Sequence, residues 1–180
     1  MILSFLTKRR HAAVVERLHK EIVAAARQPA LYSAPYAAPD TVDGRIDMIF
    51  LHAYLALSAL QQKPAPGAAI AQVATDRVFA GLESALREMG VGDLAVPKRM
   101  KKLGEAYNGR SAAYAAALAR DDTALAAALA RNVYGAADGS RATELCAYVR
   151  RTAASMAGAD LAAFVDGPAP FLSAGAEGGR

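Results

Sequence analysis

The stretch IDMIFLHAYLALSAL, residues 46–60, is apolar around almost its whole circumference when it is placed on a helix. Its only polar groups lie on four side chains: Asp47, His52, Tyr54 and Ser58. A helix that is apolar on every side is typical of the centre of a domain, where other elements enclose it. The stretch therefore predicts a buried central helix over about residues 42–60.

Five further helices are predicted around the central one. Apolar residues spaced three and four apart, with proline or glycine near the ends, indicate helices over about residues 6–27, 68–89, 97–118, 122–134 and 140–158. Asn108-Gly109 falls inside one of them, where a kink or break is plausible. The sequence has no strand-like alternation. We expect an all-α fold, a single compact bundle of about six helices over residues 1–166, followed by a flexible Gly- and Ala-rich tail at 167–180.

Composition excludes several classes of protein. Hydrophobic residues make up 54% of the 180 residues, which excludes a wholly disordered chain. Cys146 is the only cysteine, so an intrachain disulfide is impossible and a reducing compartment is expected. No apolar run reaches the roughly 18–20 residues that span a bilayer. The apolar residues 1–6 precede a basic run, the reverse of a signal peptide. We expect a cytoplasmic protein, with peripheral attachment to the inner face of the cytoplasmic membrane as an alternative.

The first ten residues have two interpretations. They can be the first turns of a helix packed on the domain. Alternatively, their apolar residues can enter a lipid boundary while the basic run at 8–10 meets the headgroups.

Fingerprints of enzymes and cofactor sites are absent from the sequence. It contains no phosphate-binding glycine loop, no nucleophile elbow and no zinc-binding HExxH helix. His11 and His19 supply too few ligands for a metal site on one helix. Cys146 lies in an apolar stretch without a partner base, which favours a small buried hydrophobe over a nucleophile. We predict no catalytic residue, no cofactor and no metal.

Three carboxylates lie at the start of the central helix. Asp40, Asp43 and Asp47 precede or occupy its first turns, with His52 further along. One interpretation is acid–base chemistry or cation binding. However, His52 lies about 140° round the helix from Asp47, so the two do not share a face. We interpret Asp40 and Asp43 as structural capping residues of a helix that begins at Asp40 or Thr41.

Basic charge is concentrated in one segment. The chain has a net charge of +4, and residues 97–110 carry five basic side chains against the single Glu105. We call these five the basic strip: Lys98, Arg99, Lys101, Lys102 and Arg110. Such a surface can bind RNA phosphate, an anionic lipid surface or an acidic protein face, or can simply be solvated. No RNP, KH or zinc-knuckle pattern supports base reading, and no DNA partner is expected.

Two long segments resemble the ubiquinol–cytochrome c chaperone family. The first runs from LY at 31–32 through PDTVDGRIDM at 39–48. The second is FAGLESALREMGVGDLAVPKRMKK at 79–102, followed by YNGR at 107–110. The resemblance covers roughly residues 16–118. The chain resembles a bacterial member of the family, because it starts almost at the domain and lacks the targeting extension of mitochondrial members.

The resemblance implies a non-enzymatic chaperone that binds newly made cytochrome b and promotes assembly of ubiquinol–cytochrome c reductase, respiratory complex III. Some family members act with a partner protein near the ribosome exit, a role that stays open for this chain. The candidate client-binding residues are Tyr32, Tyr36, Lys98, Arg99, Lys101, Lys102, Tyr107 and Arg110. The alternatives are a ribosome- or RNA-associated module and a peripheral membrane-binding helical module.

Overall fold

Helices account for all the regular structure in the described part of the chain. The computed structural model describes residues 2–175, with side chains from His11 onward. In that range it has seven α-helices and no strand: α1 Ile2–Ala26, α2 Val42–Gln61, α3 Gly67–Glu88, α4 Val96–Leu118, α5 Asp122–Val133, α6 Thr143–Gly158 and α7 Leu161–Val165. Two short 3-10 helices, Pro29–Tyr32 and Gly139–Ala142, precede α2 and α6. The predicted all-α fold is confirmed.

The centre of the bundle is α2. It packs against α1, α3, α4, α5 and α6. Leucine, isoleucine, phenylalanine and methionine side chains are buried on all its faces, because neighbouring helices surround it. Each such side chain contributes roughly 1.5–3 kcal/mol when it is fully removed from water. The predicted central helix over about 42–60 is therefore confirmed.

The first residues of α2 depend on Thr41 and Gly44. The Thr41 hydroxyl accepts a hydrogen bond from the Gly44 amide at 3.0 Å and is the N-cap. Asp40 is not the cap that the sequence allowed, since its carboxylate instead binds Arg45 at 2.5 Å. A Cβ on Gly44 would lie 2.1 Å from the Pro39 carbonyl oxygen. The preceding loop therefore reaches α2 only because this position is glycine.

α2 and α4 lie parallel, with their N-terminal ends on the same side of the bundle. Three contacts run in the same order along both helices: Asp43 with Arg99, Phe50 with Tyr107, and Tyr54 with Tyr114. α4 continues without interruption through Asn108-Gly109, so the break considered there does not occur. Because α3 joins them through a short loop, its C-terminal end lies on the same side.

The segment after α7 packs on the bundle, which moves the end of the packed domain beyond residue 166. The Ala169 amide donates to the Glu21 carboxylate at 3.0 Å, and the Ala174 amide donates to the Gln28 side chain at 2.7 Å. Phe171 packs against the core. The boundary predicted for the flexible tail, residue 167, is therefore too early, since Glu21 of α1 and Gln28 just after it accept hydrogen bonds from the backbone of this segment. Residues 176–180 lie outside the described part.

Candidate partner-binding surface

The outer part of the basic strip lies at the exposed start of α4. Lys98 and Lys102 are exposed, and neither has an ion-pair partner among residues 11–175. Lys101 lies 3.9 Å from Glu105, and both side chains are mostly exposed. The first turn of α4 contains no acidic residue and its N-cap, Ala95, offers no side-chain cap. Basic residues at this end oppose the helix dipole, so helix stability does not explain their position.

A groove of about 320 Å³ separates the N-terminal halves of α2 and α4. Its apolar lining includes Ile46, Phe50 and Leu103, of which Ile46 and Phe50 expose only a small part of their side chains. Arg99 and Lys102 line it from α4, and Asp43 and Asp47 line it from α2. The groove therefore combines a limited apolar lining with charged side chains of both signs, a combination that suits an amphipathic protein segment.

The inner end of the basic strip is an ion pair. Arg110 Nη2 lies 2.8 Å from Asp47 Oδ1, with side-chain exposures of 23% and 17%. The Arg110 guanidinium also lies over the Phe50 ring, 5.9 Å from its centroid. Burial raises the pKa of Asp47 to about 6, although Arg110 acts in the opposite direction. The charge of Arg110 is thus neutralised by Asp47 within the fold, whereas Lys98 and Lys102 have no such partner in the described part.

Arg99 is intermediate between the unpaired lysines and the buried ion pair of Arg110. It lies 3.8 Å from Asp43 in the first turn of α2, and both side chains are well exposed. A pair with this geometry contributes little to stability and leaves Arg99 accessible to a partner. Asp43 also lies at the positive end of the α2 dipole, which is the structural role predicted for it.

Two of the three candidate tyrosines serve the core. Tyr36 is 8% exposed and its ring meets Tyr148 edge-on at 6.0 Å. Tyr107 packs against Phe50 and Phe79, at ring distances of 5.4 and 5.6 Å. Both rings pack against helices distant in sequence. Tyr36 is buried and is removed from the candidate surface, whereas Tyr107 is only partly buried and stays a prediction.

Tyr32 is half-buried and close to the start of α2. Its hydroxyl donates to the Ala26 carbonyl at 2.7 Å, and burial raises its pKa. The Arg45 guanidinium lies over its ring at 5.1 Å. Tyr32 therefore fastens the loop to the end of α1 and leaves only part of its ring accessible.

His52 and Cys146, the two remaining titratable residues considered in the sequence, both lie in the interior. His52 is fully buried between the Met48 carbonyl at 2.8 Å and the Tyr148 hydroxyl at 2.9 Å. Burial lowers its pKa to about 4, and it makes no contact with Asp47. Cys146 is 4% exposed, and burial raises its pKa. Residues 11–175 contain no cluster of three metal-ligating side chains.

One exposed residue of this surface, Leu94, was not predicted from the sequence. Leu94 is 99% exposed in the loop between α3 and α4, immediately before the basic strip. Its sequence signal was available, since it is a large apolar residue in a short turn that follows Gly90 and Gly92. Within residues 2–175, no helix has the length and apolar character needed to cross a bilayer.

The fold and this surface define an all-helical protein whose exposed start of α4 suits macromolecular binding. The sequence profile of the ubiquinol-cytochrome C chaperone family matches residues 36–171. The chain belongs to this family, which confirms the resemblance and extends it through α6 and α7.

A solved structure is similar over nearly the whole chain. The crystal structure of the Cbp3 homolog from Brucella abortus matches with a TM-score of 0.84 and 39% sequence identity. The match covers 97% of this chain and 98% of that one. No curated protein sequence matches the chain significantly.

Proposed function

We propose that the protein is an assembly chaperone of respiratory complex III that binds newly made cytochrome b. The observation that carries this proposal is the family match over residues 36–171, which includes α2 and α4. The similarity to the Brucella abortus Cbp3 homolog supports it, because the two chains correspond along almost their full length.

The client-binding surface that we assign consists of the α2/α4 groove and the outer part of the basic strip, which comprises Lys98, Lys101 and Lys102. Cytochrome b is a multi-span apolar protein, and its unassembled segments need shielding. The apolar part of the groove lining, Ile46, Phe50 and Leu103, offers limited shielding, while Lys98 and Lys102 attract acidic or polar flanking segments. Because these two lysines lack ion-pair partners in the described part, a client can bind them without first breaking a salt bridge.

Deletion of the gene tests the assembly role. We expect membranes of the deletion strain to lose cytochrome b absorbance and assembled complex III, and a plasmid copy to restore both. The level of an unrelated respiratory complex serves as the internal control. Normal cytochrome b and complex III in the deletion strain would contradict the proposal.

Charge reversal tests the assigned surface separately. Lys98→Glu with Lys102→Glu should weaken photo-crosslinking to newly made cytochrome b at low salt, while the melting temperature stays unchanged. Arg120→Glu is the matched control, since Arg120 is exposed just beyond the other end of α4. Equal crosslinking by the double variant and the control would remove the basic strip from the surface and leave the assembly role standing.

The RNA-associated alternative has a distinct outcome in the same experiments. Co-sedimentation with ribosomes that falls steeply with salt, without capture of cytochrome b, would favour it over a client-binding chaperone. The wild-type chain and the double-lysine variant should be compared side by side at two salt concentrations.

A further inference from the structure

Exposed apolar side chains gather at one end of the bundle. Four large hydrophobic residues are exposed in the described part, and three of them lie where α2 and α4 begin and α3 ends. Leu94 is 99% exposed, Met89 51% and Val42 49%. The fourth, Val73, lies in the first half of α3, away from that end.

The lysine side chains on the first turns of α4 point toward the same end of the bundle. Side chains on a helix tilt toward its N-terminus, so Lys98, Lys101 and Lys102 on the first turns of α4 point toward the Leu94 loop. We call Leu94, Lys98, Arg99, Lys101 and Lys102 the basic corner.

The loop that carries Leu94 is held in shape. The Val91 amide donates to the Leu86 carbonyl at 3.0 Å, and the Ala95 amide donates to the Gly92 carbonyl at 2.8 Å. Gly90 adopts φ +82°, a left-handed conformation that favours glycine. Leu94 is therefore presented on an ordered, convex turn, and no neighbouring group in the described part covers its side chain.

The charges at this end balance in number, but two of the basic side chains stand outside the ion pairs. Asp43 pairs with Arg99 and Glu105 with Lys101, while Arg87 is shared between Asp93 and Glu83. Glu88 accepts a hydrogen bond from Ser84 on the outer side of α3. Lys98 and Lys102 have no ion-pair partner in the described part, and the uncapped positive end of the α4 dipole lies beside them.

We propose that the basic corner docks on an anionic lipid surface, with Leu94 entering the acyl boundary and Lys98 and Lys102 at the headgroups. This surface attachment goes beyond the proposed assembly role; it shares Lys98 and Lys102 with the client-binding surface, but Leu94 belongs to the lipid contact alone. It also differs from the anchor considered for residues 1–10, whose side chains lie outside the described part.

The geometry favours lipid over a protein partner. An apolar anchor of a protein interface contributes most when it fills a packed pocket. A leucine on a convex turn beside two lysines offers no pocket. Lipid binding needs none, because it requires only apolar insertion and unpaired positive charge near anionic headgroups.

Vesicle flotation of the full chain tests the proposal. We expect binding to vesicles of phosphatidylglycerol and phosphatidylcholine, little binding to phosphatidylcholine alone, and weakening by salt. Leu94→Asn should weaken partitioning about tenfold, whereas Val73→Asn, an exposed apolar position elsewhere, should have little effect. Lys98→Gln should weaken it about fivefold and Glu88→Gln should strengthen it about fivefold, with Arg120→Gln as the unchanged control.

A fluorescent label reports insertion directly. In a Cys146→Ala background, an environment-sensitive dye on Leu94→Cys should shift to the blue with anionic vesicles, and the same dye on Val73→Cys should not. A chain whose flotation is unchanged by Leu94→Asn and Lys98→Gln would overturn the proposal. So would complete loss of flotation on deletion of residues 1–10, because the anchor would then lie there.

Discussion

The His52 imidazole and the Tyr148 hydroxyl meet 2.9 Å apart in the centre of the bundle, joining α2 to α6. The other ring nitrogen of His52 contacts the Met48 carbonyl, which can only accept, so Nδ1 carries the proton and Nε2 accepts from Tyr148. Both residues have 0% exposure. A charged imidazolium at this position would have to be desolvated without a carboxylate, which is why the pKa of His52 falls to about 4.

This histidine makes stability depend on pH. Above the ordinary histidine pKa of about 6.5 both folded and unfolded chains hold it neutral, and its contribution is complete. As the pH falls from 6.5 toward 4, the unfolded chain binds a proton that the folded chain does not, so stability is lost. Between pH 7 and pH 5 the loss is about 2 kcal/mol. Urea unfolding should therefore show His52→Gln costing about 2 kcal/mol less at pH 5 than at pH 7. A cost that is the same at both values would contradict a neutral His52.

The Asp47–Arg110 pair predicts the opposite pH effect. Burial raises the pKa of Asp47 to about 6, so its contribution to stability is present below the unfolded value near 3.8 and is lost as pH rises through 6. Arg110→Met removes the opposing charge and leaves a carboxylate that is 17% exposed. We expect unfolding free energy to fall by about 2 kcal/mol at pH 7, somewhat below the range for fully buried pairs. The loss should shrink at pH 5, where Asp47 is protonated.

Arg99→Met is the matched control for that measurement. Arg99 makes an ion pair with the same helix, through Asp43, but both side chains of this pair are well exposed. Its removal should leave the unfolding free energy essentially unchanged at either pH. A comparable loss in both variants would mean that burial does not distinguish the two pairs.

Two glycines in helices should respond to alanine in opposite directions. In Gly44→Ala the new methyl group meets the Pro39 carbonyl 2.1 Å away, so the loop or α2 must move. We expect a loss of about 3 kcal/mol or more. Gly109 lies inside uninterrupted α4 with open space around it, and Gly109→Ala should stabilise the chain by up to about 1 kcal/mol. Thermal denaturation of both variants measures these changes in stability. Destabilisation by Gly109→Ala would contradict the prediction and indicate that α4 needs glycine at this position.

The central helix was predictable because its signal is local. The apolar run at 46–60 can bury all its faces only inside a bundle, and the structure places α2 at Val42–Gln61. The C-terminal segment was not predictable on the same grounds. Its glycine and alanine residues indicate a flexible tail, whereas its packing depends on Glu21 of α1 and on Gln28 just after α1, both at the other end of the sequence.

The candidate surface was predictable only in its charges. Lys98 and Lys102 are exposed as the charge run indicated, because residues 97–110 hold five basic side chains and only one acidic side chain, Glu105. The pairing of Arg110 with Asp47 and the burial of Tyr36 arise from contacts between separate elements, which amphipathic spacing does not report. Leu94 was missed because a single leucine in a turn is usually folded inward, and here no element covers it.

The segment after α7 provides a final prediction. Truncation after Asp166 removes Phe171, whose ring lies 5.9 Å from that of His52, together with the backbone amide that binds Glu21. We expect the truncated chain to lose about 2 kcal/mol of unfolding free energy, since a largely buried aromatic ring contributes roughly 1.5–3 kcal/mol. Water would then reach His52 and raise its pKa toward the ordinary value, which NMR titration of the imidazole would detect. Truncation after Gly175 is the control and should leave both stability and the His52 titration unchanged. A shorter chain as stable as that control would mean that residues 167–175 contribute nothing to the bundle.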